Sequence, residues 1–215
     1  MEDMRVLLVD DHDLFRVGLR NLLEEQGVQV VGEAQAGSEA VRFVRELAPD
    51  VVIMDLNMPG MSGVEATRHI TSAAPLTRVL VLTISDQDAD VMDAILAGAC
   101  GYLLKDASIQ ELMAGIRAAS VGESLISPAI ASKVLQRIRA SSTSPEIAEA
   151  IRAELSDREV EVLKLIANGK DNAQIAAELH ISPKTVKNHI SNILMKLQID
   201  NRIQAAVYAV RSGIV

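Results

Sequence analysis

Five short apolar runs, four of them closed by a polar residue, constrain this chain more than any other feature. Residues 5–9 (Arg-Val-Leu-Leu-Val) end at Asp10-Asp11, and residues 51–54 end at Asp55. Residues 78–83 close on Thr83, Tyr102-Leu103-Leu104 leads into Lys105, and the fifth run lies at 28–34. Short runs rich in Val, Ile and Leu suit central parallel strands covered on both faces. Between them apolar residues recur at helical spacing: Leu14, Phe15, Leu19, Leu22 and Leu23, then Ala40, Val41, Val44 and Leu47. A weaker set is Val91, Ala94, Ile95 and Gly98. A clear one is Ile109, Leu112, Met113 and Ile116, opened by the capping box Ser108-x-x-Glu111. The alternation predicts an α/β unit over residues 1–121, a five-stranded, parallel, doubly wound, flavodoxin-like sheet with right-handed crossovers. With aromatic residues at only 2% and hydrophobic residues at 49%, aliphatic side chains must fill the core.

In such a sheet, ligands bind beyond the carboxyl ends of the strands. Asp10, Asp11, Asp55, Thr83 and Lys105 all fall at strand ends and are therefore expected on one rim. Three crowded carboxylates repel one another, and a hard divalent cation with oxygen ligands relieves that repulsion. A carboxylate also attacks phosphorus to give an acyl phosphate, whose oxygens an ammonium, a hydroxyl and a cation neutralise. The plainer reading of Asp10-Asp11 is a helix cap, with Asp11 or Asp13 bonding the first turn of the following helix. A lone lysine is ordinarily solvated surface. The coincidence of five polar residues on one rim favours the chemical reading.

The ordered set Val-Asp10-Asp11-His, Met54-Asp55-Leu-Asn57-Met-Pro59-Gly60-Met-Ser-Gly63, Leu82-Thr83 and Gly101-Tyr102-Leu-Leu-Lys105-Asp resembles response-regulator receiver domains over residues 4–121. The resemblance implies that Asp55 is the phosphoacceptor and that a phosphohistidine on a sensor histidine kinase is the donor. It implies Mg²⁺ held by Asp11 directly, Asp10 through water, Asp55, and the backbone carbonyl of Asn57. It further implies that Thr83 swings toward the phosphoryl group while Tyr102 turns inward.

Residues 122–150 change character. Ser127-Pro128 with Ile130, Val134, Leu135 and Ile138 reads as a short helix, Ala140 to Pro145 as a polar hinge, and 146–154 as a second short helix. Both a passive tether and a segment whose apolar residues dock on a domain face fit this pattern.

Residues 151–215 predict an all-α unit of four helices. Ser156 with Glu159 and Asp171 with Gln174 are capping boxes, Leu155 with Val160 is a hydrophobic staple, and Asn168-Gly169 is a stop. Ser182-Pro183 opens a third helix with a buried face of Val186, Ile190, Ile193 and Leu197. Ile203, Ala206, Val207 and Val210 mark a fourth, a stripe that is the candidate dimer surface of this unit where core packing does not claim it. Two helices joined by His180-Ile181-Ser182 describe a helix-turn-helix. The third helix turns Lys184, Thr185, Lys187, Asn188, Ser191 and Asn192 away from its apolar stripe, a set suited to phosphates and base edges. A plain solvated helix face fits those residues too.

Leu-Ser-Asp-Arg-Glu159-Val-Glu-Val-Leu163, Leu179-His-Ile181-Ser182-Pro-Lys-Thr185-Val186-Lys187-Asn-His189, Lys196-Leu197 and Asn201-Arg202 resemble the LuxR-type output domain. That resemblance implies double-stranded DNA as partner, contacted through the third helix and Arg202. Gln198 stands where that family usually has Gly, and Ser191 where some members carry a DNA-contacting Lys. Both units together make the chain similar to NarL/FixJ-type response regulators, which implies dimerisation on phosphorylation and control of transcription rather than enzymatic turnover.

Charge fits this division. Residues 151–215 carry nine Lys/Arg against seven Asp/Glu, whereas residues 1–150 carry 12 against 22. The net −8 of the whole chain therefore belongs to the first unit. No leader-like or bilayer-length apolar segment appears, and the single Cys100 reads as a buried filler, so a cytoplasmic protein without membrane contact is expected. An Asp-nucleophile phosphatase is disfavoured because Asn57 replaces the acid such enzymes use to protonate a leaving group. A receiver serving only as scaffold would not need three crowded carboxylates.

Overall fold

The computed structural model describes residues 4–85, 87–126, 130, 149 and 154–214. The chain divides into two compact units, Met1–Ile130 and Ala131–Val215. The linker helices and hinge expected over 127–154 lie outside the described residues, apart from Ile130, Glu149 and Glu154.

In the first unit, strand and helix alternate as β1 (Arg5–Val9), α1 (Asp13–Glu25), β2 (Gln29–Ala34), α2 (Gly37–Leu47), β3 (Val51–Met54), α3 (Gly63–Ala73), β4 (Arg78–Thr83), α4 (Asp88–Leu96), β5 (Gly101–Leu104) and α5 (Ile109–Ser120). The sheet runs β2-β1-β3-β4-β5-β6, with every pairing parallel. The reversal of order at β1 puts the carboxyl ends of β1 and β3 side by side, with Val9 opposite Met54.

The sheet has six strands rather than the expected five. The sixth, β6 (Leu125–Ile126), pairs with Gly101 and Tyr102 of β5. Two residues are too short to show any period. What admits the strand is Gly101, where a Cβ would stand 2.8 Å from the carbonyl oxygen of Leu125.

Alternate strand residues separate into two cores. Val6, Leu8, Ile53, Leu80 and Leu82 pack with Leu19 and Leu23 of α1 and with Leu112 and Ile116 of α5. Leu7, Val9, Val52, Met54 and Val79 pack with Ala40 and Val44 of α2 and with Ala66 and Ile70 of α3. Both sheet faces are covered, which is why the runs read as continuously apolar. α3 shows no apolar stripe in the sequence because its buried face is Gly63, Ala66, Thr67 and Ile70, mostly small. The α1 stripe is narrower than its sequence suggests: Leu14 is 89% and Leu22 48% exposed. Cys100 is buried, and burial pushes its thiol up to about 12, as a filler requires.

The second unit contains four helices among its described residues: α6 (Asp157–Ala167), α7 (Asn172–Leu179), α8 (Pro183–Leu197) and α9 (Arg202–Arg211). The capping boxes Ser156–Glu159 and Asp171–Gln174 form, and Ser182 caps α8 ahead of Pro183. Gly169, at φ +76°, ends α6 by donating to Ile166 O while Lys170 donates to Leu165 O. Leu163, Ile166, Ile175, Val186 and Ile193 centre the core, with Ile190 and Leu197 at its edge. Ile203 and Val207 are themselves buried, whereas Ala206 and Val210 are partly exposed. Half of the stripe expected to form a dimer surface is therefore already covered, because a helix in so small a unit must give a face to the core.

Gln198 ends α8 in the left-handed conformation at φ +53°. A side chain there crowds the following carbonyl, at about 1 kcal/mol. Gln198→Gly is therefore expected to stabilise this unit by roughly 0.5 kcal/mol after the entropy glycine adds to the unfolded chain. Chemical denaturation of the two forms checks this, and a loss of stability would contradict the geometry.

Candidate functional site

The reversal in strand order gathers the acidic residues. Asp10 continues β1, its N–H donating to Ala34 O, and Asp55 continues β3, its N–H donating to Val9 O. Both are buried, at 5% and 2% exposure. Carboxylate or imidazole atoms of Asp10, Asp11, His12 and Asp55 all lie within 4.8 Å of one another. The Lys105 ammonium reaches in from beyond β5, 2.7 Å from Asp10 Oδ2 and 3.3 Å from Asp55 Oδ2. It also sits 4.7 Å from the centre of the Phe15 ring.

The acidic pair does not cap α1. The N-cap is His12, which makes no side-chain capping bond. Asp10 Oδ1 instead accepts from the His12 N–H at 2.9 Å. Asp11 Oδ1 is buried and accepts no hydrogen bond, although His12 Nδ1 lies 2.8 Å away. A buried carboxylate oxygen without a hydrogen bond, faced by the His12 imidazole and set beside two further carboxylates, belongs to a donor set suited to a hard cation. The residues present therefore fit Mg²⁺.

Gly63 makes this pocket possible. A Cβ at that position would stand 2.0 Å from the Asp55 carbonyl oxygen and 2.7 Å from Leu56 Cα, while the Gly63 N–H donates to Leu56 O at 3.0 Å. The start of α3 thus presses directly on the backbone that carries Asp55. Asn57 lies exposed in the same loop, ahead of Gly60 at φ +79°.

Thr83 is fully buried at the end of β4, its hydroxyl accepting from the Ser85 N–H at 3.3 Å. Tyr102 is also buried, and its hydroxyl donates to Ser85 O at 2.9 Å. The two residues meet on one loop residue, and the tyrosine already points inward.

The sequence reading missed Arg16. Its guanidinium is buried and donates to Asp10 O (2.7 Å), Asp13 Oδ1 (2.5 Å) and Glu33 Oε2 (3.0 Å). Burial opposes its charge, but Asp13 and Glu33 outweigh that and raise its pKa. A basic residue one turn into α1 looks like ordinary surface until β2 brings Glu33 beside it.

In the second unit, Lys184, Lys187, Asn188, Ser191 and Asn192 are exposed on α8, and Thr185 is half-buried, 2.8 Å from the Ser182 hydroxyl. Arg202 stands apart, on α9. It donates to Asn172 Oδ1 at 2.6 Å and to the carbonyl of Lys170, joining the starts of α7 and α9. Two residues of α6 support the helix-turn-helix: Arg158 donates to Leu179 O, and Glu159 accepts from Lys196 of α8 at 2.8 Å. Burial alone would raise the Glu159 carboxyl, but Lys196 and Ser156 hold it below its ordinary 4.5. A depressed folded value stabilises above the unfolded pKa and is lost as pH falls through the folded one. The second unit is therefore expected to lose stability in acid below about pH 4.5, and Glu159→Gln to lose less over the same range. Melting curves from pH 6 to 3 check this; parallel curves would contradict it.

A buried carboxylate cluster with a lysine, set at the carboxyl rim of a parallel sheet and carried on one chain with a helix-turn-helix unit, defines a receiver-type regulator with a DNA-binding output. Residues 6–117 match the family model of the response regulator receiver domain, and residues 153–209 match the luxR family of bacterial regulatory proteins. The chain is 48% identical over 213 residues to the transcriptional regulatory protein LiaR of Bacillus subtilis, covering 99% of each. Among solved structures it is similar to the response regulator ChrA of a heme-sensing two-component system (36% identity, 100% of both chains, TM-score 0.55). It is also similar to RcsB in a structure of two RcsB dimers bound to two parallel DNAs (28% identity, 98% of this chain and 99% of that one, TM-score 0.59). The chain belongs to the response regulators that join a receiver domain to a luxR-family DNA-binding domain, and it is a two-component regulator acting on DNA in transcription.

Proposed function

We propose that Asp55 is the phosphoacceptor, supplied by a sensor histidine kinase, and that its phosphorylation controls dimerisation and DNA binding in the cytoplasm. On this reading the receiver spans 1–121, the linker 122–150 and the DNA-binding unit 151–215. The observation that carries it is the Lys105 ammonium within 3.3 Å of Asp55 and 2.7 Å of Asp10, two carboxylates that cluster with Asp11.

Asp10, Asp11, Asp55 and the backbone carbonyl of Asn57 would hold Mg²⁺, which when bound offsets the charge of the carboxylates and the incoming phosphoryl group. An Asp55 oxygen attacks phosphorus, the donor nitrogen leaves, and the acyl phosphate carries its charge on three oxygens. Lys105 is near enough to neutralise part of that charge. Thr83 and Tyr102 share Ser85, so a shift of the Thr83 hydroxyl toward the phosphoryl group would be felt by the tyrosine. Asn57, two residues along and unable to donate a proton as a carboxylic acid does, fits an acceptor rather than an enzyme turning over external esters.

The exposed face of α8 suits a DNA groove. Lys184 and Thr185 lie near its N-terminus, where phosphates are favoured, and Lys187 and Asn188 would reach base edges, with Ser191 and Asn192 beyond. Arg202, which bonds to Asn172 and Lys170, would add a contact to DNA from α9. Intact-mass spectrometry after incubation with acetyl phosphate and Mg²⁺ tests the assignment. One phosphoryl group on wild type and none on Asp55→Ala is expected, and equal labelling of both would overturn it.

A further inference from the structure

We infer that Arg16 is a positioning residue for the cation pocket, setting the direction of Asp11 by clamping the peptide that joins Asp10 to Asp11. This rests on the Mg²⁺ reading above and concerns a residue that touches neither cation nor phosphoryl group.

The carbonyl that Arg16 binds at 2.7 Å belongs to that peptide. Holding the carbonyl fixes the rotation of the whole planar unit, hence the direction in which the Asp11 side chain leaves the backbone. The clamp matters because the Asp11 side chain is otherwise held weakly: its buried Oδ1 accepts no hydrogen bond, and the group facing it is Nδ1 of the exposed His12 imidazole at 2.8 Å. Asp10, by contrast, is held through its own N–H by Ala34 O, through Oδ1 by the His12 N–H, and through Oδ2 by Lys105.

The clamp is itself anchored. Nε of Arg16 donates to Glu33 Oε2 on β2, and the other oxygen of Glu33 accepts from Arg20 at 2.8 Å. Asp13 Oδ1 accepts from both Arg16 and Gln35. Three acceptors in three directions require the planar fork of a guanidinium, and a lysine ammonium on a flexible stem does not reproduce it.

Electrostatics and positioning predict opposite signs. A fixed positive charge behind a cation pocket repels the cation, so its removal should tighten Mg²⁺ binding if charge were its whole effect. If Arg16 orients Asp11, removal should weaken binding, as loss of groups supporting a metal ligand generally does, by about tenfold or more.

The test is calorimetric titration of Mg²⁺ into the full chain as wild type, Arg16→Met and Arg16→Lys, with melting curves recorded without Mg²⁺. The expected result is a Kd about tenfold weaker for Arg16→Met, and weaker by several fold for Arg16→Lys although its charge is kept. Rates of labelling by acetyl phosphate should show a raised Mg²⁺ half-saturation, with the maximum recovered at high Mg²⁺. If Arg16→Met does not fold, Arg16→Lys alone decides. Unchanged or tighter binding by Arg16→Lys, even with a lower melting temperature, would reduce Arg16 to a structural residue. Absence of Mg²⁺ binding by wild type would overturn the cation reading itself.

Discussion

Alanine at position 63 is expected to lower the stability of the receiver unit by about 3 kcal/mol, a fall in Tm of roughly 10 °C. The added methyl would meet the Asp55 carbonyl oxygen at 2.0 Å and Leu56 Cα at 2.7 Å. Both are backbone atoms of the loop leaving β3, so no side-chain rotation relieves the overlap. Either α3 lifts its buried face of Ala66, Thr67 and Ile70 off the sheet, or the peptide of Asp55 moves. The fraction that folds should therefore also accept phosphate poorly. Gly60→Ala is the control: its φ of +79° strains any side chain, but nothing lies within 4 Å, so a cost of about 1 kcal/mol is expected. Calorimetry of the full chain compares the two, and a Gly63→Ala protein that melts with wild type would show that α3 does not press on the site.

The second large effect concerns DNA. Wild type treated with acetyl phosphate and Mg²⁺ is expected to bind operator DNA about tenfold more tightly than untreated protein, within the ordinary range of coupling between two sites. Asp55→Ala should gain nothing. The free energy must come from a difference between two receiver states, because the phosphoryl group lies on a different unit from α8. Titrations at one fixed salt concentration are required, since the phosphate contacts proposed for the N-terminus of α8 would make affinity depend steeply on ionic strength. Equal gains in wild type and Asp55→Ala would remove the acyl phosphate from the switch.

Much of the site was legible because strand-end chemistry is local. Asp10, Asp11, Asp55, Thr83 and Lys105 each follow or close an apolar run, and a parallel sheet brings such ends to one rim. The capping boxes at Ser108, Ser156 and Asp171 were legible for the same reason, since each joins residues three apart. What escaped had no local pattern. Arg16 draws its meaning from Glu33, and Lys196 from Glu159, 37 residues away. β6 is two residues long, and α3 is packed through small residues that leave no stripe. The left-handed end at Gln198 was legible only because a glycine is expected there.

By itself the sequence determined the periods of its elements, their order and the chemistry at their ends, because these depend on neighbours along the chain. The tertiary structure decided which oxygen of Asp11 is buried without a hydrogen bond, that Arg16 is buried behind Asp10, that half the α9 stripe is covered by the core, and that Arg202 bonds to Asn172 and Lys170. Those outcomes depend on which distant groups share a hydrogen bond or exclude water from one another, and only the folded chain sets those distances.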